Sequence, residues 1–285
     1  MNKLIKSALV IITSTLSFTA NAQTSKDENS LLWEISGNGI KNPSYLYGTI
    51  HMICNDDYFL KEKVNKAFEK TSKLALEINS TDPNELNDMQ KSLLGTEPLT
   101  EILTSSQAKE LNDLLVKTAG MTLDQVKNYT LATVMGLITM KSFGCTNIKS
   151  YEVEFIAKAK ETNMKVIGLE KAKEQLDFIN NAYTNQEMID LLKEMTKEYT
   201  KINVDNYKQE NLSNLYVIGT NKKIMNKKIK SFILDQRNKN WVATMPELMQ
   251  KEAVFFAIGA THLSGKQGAI NLLRKAGYQV KPILN

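Results

Sequence analysis

The sequence feature that most constrains the fold is an uninterrupted apolar run at residues 254–258, which ends at Gly259. A run of this length that stops at a glycine predicts a buried strand followed by a turn. His262 comes three residues after that glycine. Because open α/β sheets place their ligand sites beyond the carboxyl ends of their strands, the pattern predicts that His262 lies at such an edge.

The other histidine of the chain stands in the same local context. The sequence contains two histidines, and His51 follows Gly48 at the same spacing, after an apolar segment at 44–50. Each motif is followed by a stretch with helical periodicity and then by another short apolar segment, which ends near residue 78 in one case and 280 in the other. Our hypothesis is a weak internal repeat of strand, G-x-x-H, helix and strand, which would bring the two histidines together.

The rest of the chain predicts a mixed α/β fold with a large helical cover. Turn residues between 37 and 43 favour a hairpin of the segments 31–35 and 44–50. From residue 99 to about 250 the chain reads mainly as capped helices, with one short strand at 165–169. We therefore predict a mixed sheet made of two pseudo-symmetric halves, within a single domain at 23–285.

Residues 1–22 have the pattern of a removable export signal. Lys3 and Lys6 precede an apolar core at 8–18, and the sequence ANA provides a cleavage pattern that ends at Ala22. Such a core is too short to span a bilayer, which makes a retained membrane anchor the weaker alternative. No later segment is apolar enough to cross a membrane. We therefore expect a periplasmic or secreted protein with no transmembrane segment after cleavage.

The charge of the chain gives no reason to expect nucleic acid or an anionic membrane as a partner. The formal net charge of +5 falls to +3 once the two lysines of the export signal are removed. A lysine-rich stretch at 222–230 also contains isoleucines at helical spacing, and we interpret it as a solvated helix face. Nothing in the sequence indicates an oligomeric state.

Two cysteines, Cys54 and Cys145, follow the export signal. In an exported protein they are candidates for a disulfide, which would fix the segment after His51 to a distant part of the chain. Two unpaired thiols are one alternative, and a chemical role for Cys54 as a metal ligand or nucleophile is another.

Three side chains have the composition of an open metal site. His51, His262 and the strand residue Glu77 would supply two imidazoles and a carboxylate to a divalent ion. Such an ion would activate water for hydrolysis, whereas without an ion a histidine and a glutamate could act on water as general bases. A single histidine at a strand end is more often structural, and it is the shared context of the two that favours a functional site.

Two further charged residues have open interpretations. Glu170, at the end of the predicted strand 165–169, is a candidate fourth ligand, a residue that orients a ligand, or an acid that favours the start of a helix. Arg237 lies one helical turn before Trp241, and its guanidinium could stack on that indole. It could hold a substrate carboxylate or a developing oxyanion, or it could be an ordinary surface arginine.

Together these motifs resemble those of the TraB/GumN family, which includes the Tiki proteases. The two G-x-x-H motifs and Glu77 look like the family's two motifs and its acidic residue. Four further segments, at 150–152, 168–170, 237–238 and 277–280, look like recurring family segments. The resemblance covers residues 31 to 282, nearly all of the chain after the export signal.

The resemblance implies a site built from both motifs, with His51, Glu77, Arg237 and His262 as catalytic residues. It implies that Glu170 and Tyr151 support the ligands. Since Tiki proteases are metal-dependent peptidases, it also implies a metal-dependent hydrolase, a peptidase that uses manganese, cobalt or zinc and takes a peptide or small-molecule substrate. The alternatives are a metal-free hydrolase similar to the erythromycin esterases, which share the fold, and a non-catalytic protein that sequesters peptides or other ligands.

Overall fold

The computed structural model describes residues 29–284, so the predicted export signal at 1–22 lies outside the described residues. Within this range a six-stranded sheet has the order β6-β4-β7-β2-β1-β8, and β3 pairs with β5 in a separate two-stranded ribbon. The strands are β1 (Leu32–Ser36), β2 (Ser44–Thr49), β3 (Met52–Cys54), β4 (Lys73–Leu76), β5 (Ile148–Ser150), β6 (Lys165–Gly168), β7 (Val254–Gly259) and β8 (Gln279–Pro282).

The sheet is mixed, as the sequence predicted. Strand β1 pairs antiparallel with both β2 and β8, and the first of these pairs is the predicted hairpin. The pairs β2–β7, β4–β7 and β4–β6 are parallel. Strands β2 and β7 are buried along their whole length, as expected for central strands that are covered on both faces. Five strands therefore end at the same edge of the sheet.

Helices form the rest of the described chain and cover the sheet. They are α1 (Glu62–Glu69), α2 (Pro83–Ser92), α3 (Leu99–Ile102), α4 (Ser105–Ala119), α5 (Leu123–Val126), α6 (Leu131–Ser142), α7 (Tyr151–Glu161), α8 (Ala172–Ala182), α9 (Asn185–Glu194), α10 (Lys197–Lys208), α11 (Leu212–Gly219), α12 (Lys227–Lys230), α13 (Arg237–Lys251) and α14 (Ala269–Lys275). Among residues 29–284, none of the helices has both the length and the apolar character needed to cross a membrane.

Two apolar cores hold these layers together. The larger core joins the sheet to α1, α7, α10, α11, α13 and α14, and the smaller one lies among α3, α4, α5, α6 and α9. The smaller core makes the middle of the chain a helical subassembly beside the sheet. This arrangement confirms the prediction of an α/β core with a large helical cover.

The two G-x-x-H segments leave neighbouring parallel strands. In the pair β2–β7, Gly48 lies opposite Ile258 and Thr49 lies opposite Gly259. After each motif the chain forms a helix, α1 or α14, and then returns to the sheet in a strand of the same direction, β4 or β8. The predicted order of strand, motif, helix and strand is therefore present in both halves.

The structure joins Cys54 to Cys145 in a disulfide. Cys54 is the last residue of β3, and Cys145 precedes β5, so the bond closes one end of the ribbon formed by these two strands. Tyr151 N–H donates to the carbonyl oxygen of His51 at 3.1 Å just beyond the other end. The disulfide and this hydrogen bond together hold the segment after β2 against the start of α7.

Replacing Cys54 and Cys145 by serine is expected to lower the free energy of unfolding, because the bond closes a loop across 91 residues. The loop-entropy relation gives roughly 4 to 5 kcal/mol for such a loop. Urea unfolding followed by circular dichroism would measure the loss. The wild-type protein in reductant is the matched control, and it should unfold at the same urea concentration as the variant. A loss below about 1 kcal/mol would contradict this account of the disulfide.

Candidate active site

His51, Glu77 and His262 meet around one glycine at the carboxyl edge of the sheet. A Cβ atom built on Gly259 would lie 2.9 Å from His51 Nε2, 3.3 Å from Glu77 Oε1 and 3.5 Å from His262 Cδ2. The backbone of Gly259 has a φ of -54°, which any residue can adopt. The glycine is therefore required for the space it leaves to three side chains, and not for its conformation.

The other motif glycine makes room in the opposite direction. A Cβ on Gly48 would lie 3.0 Å from Ala260 Cα and 3.1 Å from the Leu263 side chain. Both of these residues belong to the turn that carries His262. Each glycine of the repeat thus allows the histidine segment of the other half to approach its strand.

Glu77 directly follows β4 and so lies just beyond the strand, whereas the sequence predicted it within one. Its Oε1 accepts a hydrogen bond from Gly259 N–H at 2.8 Å, and its Oε2 accepts one from Arg237 Nη2 at 2.6 Å. Burial acts to raise the pKa of this carboxyl, but the Arg237 charge, the two histidines and the Gly259 N–H hold it well below its usual range. Glu77 is therefore a fixed carboxylate.

His51 follows β2 with a φ of +60°, in the left-handed region that non-glycine residues rarely adopt. Its Nδ1 lies 2.8 Å from Glu152 Oε1, to which it donates. Thr49 Oγ1 donates to the same oxygen at 2.8 Å. These contacts fix the ring so that Nε2 points into the site, 3.7 Å from Glu77 Oε1. Such strain is typical of functional positions that the surrounding structure holds in place.

The charge on His51 follows from its acidic neighbours. Burial alone would lower its pKa, but the Glu152 carboxylate and, to a smaller extent, Glu77 raise the pKa of His51 to about 9. Water screens part of this attraction, since about half of the His51 side chain, 51%, is exposed to solvent. In the metal-free site at neutral pH, His51 is therefore an imidazolium.

His262 lies in a 3-10 turn, Ala260–His262, and is buried. Asn238 Nδ2 donates to the carbonyl oxygens of His262 and Gln267, which orients the amide so that Oδ1 accepts from His262 Nδ1 at 2.7 Å. This assigns the ring proton to Nδ1. Burial, and then the nearby Arg237 charge, lower the pKa of His262 to about 3, so the ring is neutral and its Nε2 lone pair faces the site.

Arg237 is buried, with an exposed fraction of 5%, so the interpretation of a surface arginine is wrong. Nη2 donates to Glu77 Oε2 and Glu170 Oε1 at 2.6 Å each, and Nη1 donates to His262 Nε2 at 3.3 Å. The guanidinium lies 4.7 Å from the Trp241 ring, as the sequence suggested. A π-helical turn, Ser231–Gln236, precedes α13 and delivers Arg237 to this position.

Glu170 contacts the site through Arg237. It accepts hydrogen bonds from Arg237 Nε and Nη2, from Trp241 Nε1 at 3.1 Å and from Gln175 Nε2 at 2.9 Å. Burial raises the pKa of Glu170, although Arg237 opposes this change. Glu170 therefore anchors the guanidinium that reaches Glu77 and His262.

Tyr151 lies among aromatic side chains behind the site. Its hydroxyl donates to the Phe59 carbonyl oxygen at 2.9 Å, and its ring is 4.9 Å from that of Tyr58. Its link to His51 is the backbone hydrogen bond described above. The side chain that holds His51 belongs to the next residue, Glu152.

Glu152 and Asn238 hold the two histidines, and nothing in the sequence around them predicts this role. Each stands beside a candidate residue, in the segments 150–152 and 237–238. Glu152 is 101 residues from His51 in the sequence, and Asn238 is 24 residues from His262. Only the resemblance of both segments to family motifs could have drawn attention to them.

The donor atoms suit a divalent cation in kind. In both His51 and His262, Nδ1 donates its proton to an oxygen atom and Nε2 faces the cavity that also contains the Glu77 carboxylate. A histidine that binds a metal through one ring nitrogen usually donates a hydrogen bond from the other in this way. Within residues 29–284, no group of three or more His, Cys, Asp or Glu side chains has a geometry that could hold a metal ion. Arg237 occupies the approach to His262 and Glu77. An ion bound to both His262 and Glu77 would therefore require that side chain to move.

Comparison with known proteins identifies relatives of this chain. The model of a family described as the TraB/PrgY/gumN family matches residues 31–282. A protein of Danio rerio named Metalloprotease TIKI1 is 25% identical to this chain over an alignment of 316 residues in length. The alignment covers 90% of this chain. The match spans 63% of the length of that relative, so it has a substantial part without a counterpart in the match.

Gly259→Ala is expected to disrupt the site without unfolding the protein. The added methyl would lie 2.9 Å from His51 Nε2, so the ring would have to move away. Gly136→Ala is the matched control, because a Cβ there meets nothing within 4 Å and lies within α6. We expect the control to be about 0.5 to 1 kcal/mol more stable. Histidine NMR shifts that are unchanged in Gly259→Ala would contradict the packing described here.

Glu152→Gln is expected to lower the pKa of His51 from about 9 toward or below its ordinary value of 6.5. The Glu152 carboxylate stabilises the imidazolium, and an amide does not. Because the folded pKa is raised, this interaction stabilises the fold fully below about pH 6.5 and is lost as the pH rises through about 9. NMR titration of metal-free protein would measure it, with His262 as the internal reference. The same pKa in both proteins would contradict the assignment.

Proposed function

The chain belongs to the TraB/PrgY/gumN family, and with that premise we propose that it is a metal-dependent hydrolase that cleaves peptide bonds. One observation carries the proposal: His51, Glu77 and His262 meet around Gly259 and line the same cavity. A relative named as a metalloprotease supports the same class of reaction. Hydrolysis would break the carbon–nitrogen bond of the amide, form a carbon–oxygen bond to the oxygen of water and pass a proton of that water to the leaving amine.

His51, His262 and Glu77 would hold the ion, which we propose to be manganese, cobalt or zinc. When bound, such an ion polarises a carbonyl group and lowers the pKa of a water molecule. Glu152 and Asn238 keep the two imidazoles in the Nδ1-protonated form, which leaves Nε2 of each ring as the donor. His51 would have to lose its second proton first, so binding is expected to strengthen as the pH rises toward 9.

Arg237 is the residue that we propose to act on the substrate. Its guanidinium already has donors directed at Glu77 and His262. A small movement of Nη1 from His262 would let it donate to the carbonyl oxygen on which negative charge develops. Glu170 and Trp241 would keep the guanidinium at this position during the reaction.

A metal-free hydrolase on the same residues is the second candidate. The observation that favours it is that Arg237 satisfies both Glu77 and His262 without an ion. A general base works best with a pKa near the working pH. Here the pKa of His51 is about 9 and that of His262 is about 3. Neither ring would be an effective base at neutral pH, so we prefer the metal-dependent mechanism.

We further propose that the protein acts outside the cytoplasm. The Cys54–Cys145 disulfide supports this location, because such bonds persist in oxidising compartments. The export signal at 1–22 and a single functional domain at 23–285 are part of the same proposal.

The decisive experiment measures metal binding and peptide hydrolysis on the same variants. Titration calorimetry with manganese, cobalt and zinc should show one ion per chain for the wild-type protein. Hydrolysis of a peptide library should stop on chelation and return with the ion. His51→Ala/His262→Ala should abolish binding and lower hydrolysis by about a hundredfold or more. Glu62→Gln, which alters an exposed pair with Lys66, is the control and should change neither.

The alternatives give different results in this experiment. Hydrolysis that survives complete chelation would indicate the metal-free mechanism. If the wild-type protein binds peptides without cleaving them, and His262→Ala binds them equally well, the protein would be a peptide-sequestering member of the family. Circular dichroism of each variant would show that a loss of activity is not a loss of fold.

A further inference from the structure

The candidate site opens into a cavity of about 650 Å³, which is in the range of sites for small ligands and peptide side chains. The charged side chains in its lining all belong to the candidate site, namely His51, Glu77, Glu152 and Arg237. They pair with one another, His51 with Glu152 and Glu77 with Arg237. The rest of the lining therefore presents no charged group to a substrate.

The apolar part of the lining is rich in methionine and comes mainly from the helical cover. Its members come from segments that are far apart in sequence and are partly exposed, so their side chains border open space. They are Ile78, Met89, Met135, Ile179, Met225 and Ile233. Methionine side chains are flexible and polarisable, and they adapt to apolar partners of different shapes. Three of them around one cavity favour a range of large apolar groups over a single rigid one.

The apolar lining continues away from the site. A second cavity of about 390 Å³ shares Ile78, Met89 and Ile179 with the first. It is also bordered by Leu93 and Met140, which are 47% and 43% exposed although they are large and apolar. The apolar surface thus extends beyond the cavity that contains the two histidines. Such a surface suits a peptide that has further residues beside the one that enters the first cavity.

We propose that the substrate is a peptide with a large apolar side chain, such as leucine, methionine or phenylalanine, next to the bond that is cleaved. Met89, Met135, Ile179 and Met225 receive this side chain, while the neighbouring carbonyl lies toward Arg237 and the histidines. An aspartate or lysine at the same position is excluded. Its charge would be buried, and the charged side chains of the lining are already paired with one another. This inference rests on the proposed peptidase function and names its substrate class.

The test uses the full chain with ¹³C-labelled methionine methyl groups. The probes are five alanine-based pentapeptides whose central residue is leucine, methionine, phenylalanine, alanine or aspartate. NMR shifts report binding, and mass spectrometry of the same sample reports cleavage. We expect saturable shifts of Met89, Met135 and Met225 with the first three peptides, at concentrations about tenfold or more below those needed for the other two. Met245 and Met249, which are buried in the larger core, should not shift.

The variant Met89→Ala/Met225→Ala should weaken binding of the leucine peptide by about tenfold or more and so remove most of its advantage over the alanine peptide. Val217→Ala is the control, since Val217 is 63% exposed on α11 and is not part of the cavity lining. Cleavage without preference among the five peptides would overturn this inference and leave the peptidase function standing. The expected shifts with every peptide intact would support the binding preference and count against the peptidase function. Shifts that are equal for leucine and aspartate would overturn the inference.

Discussion

The site depends on the contact of one guanidinium with two buried carboxylates. Glu77 and Glu170 follow β4 and β6, which are parallel neighbours, so the sheet itself brings both acids to one edge. Arg237 donates to both. Burial raises the pKa of Glu170, whereas the pKa of Glu77 is held well below its usual range. The negative charge is therefore most firmly fixed on the carboxylate that faces the histidines. Loss of Arg237 would remove the main countercharge of that buried carboxylate, and breaking a buried ion pair in this way typically costs about 3 to 5 kcal/mol.

The second constraint is the close approach of the two halves. The parallel pairing of β2 with β7 places the motif glycines within one register step of each other across the sheet. Each glycine faces the turn or ring that belongs to the other motif. A side chain at either position would separate the two histidine segments, so the G-x-x-H pattern is a packing requirement as well as a chemical one. This explains why two short motifs, each weak in itself, carry so much information when they occur together.

The sequence predicted the parts of this arrangement that are local in the chain. The apolar run before Gly259, the hairpin at 31–50 and the short strand at 165–169 all follow from periodicity and turn residues, and the structure contains each of them. The pairing of Arg237 with Glu170, across 67 residues, depends on the tertiary fold and leaves no local signal. For the same reason the sequence points to Tyr151 as a support for the ligands, whereas the side chain that contacts His51 is that of Glu152. Adjacent residues at the start of a helix point in different directions, and only the fold decides which of them faces His51.

The remaining question is how a site that already contains cations could accept a metal ion. Two positive charges face the acidic side chains here: the His51 imidazolium pairs with Glu152, and Arg237 pairs with Glu77 and Glu170. The proton on His51 Nε2 is the one that can leave, since the Nδ1 proton is held by Glu152. Exchange of that proton for a divalent ion would add only one unit of charge to the site. His262 is already neutral and needs no such exchange, because burial and Arg237 lower its pKa to about 3. The two histidines thus differ in charge because the Glu152 carboxylate raises the pKa of His51, whereas burial and the Arg237 charge lower the pKa of His262.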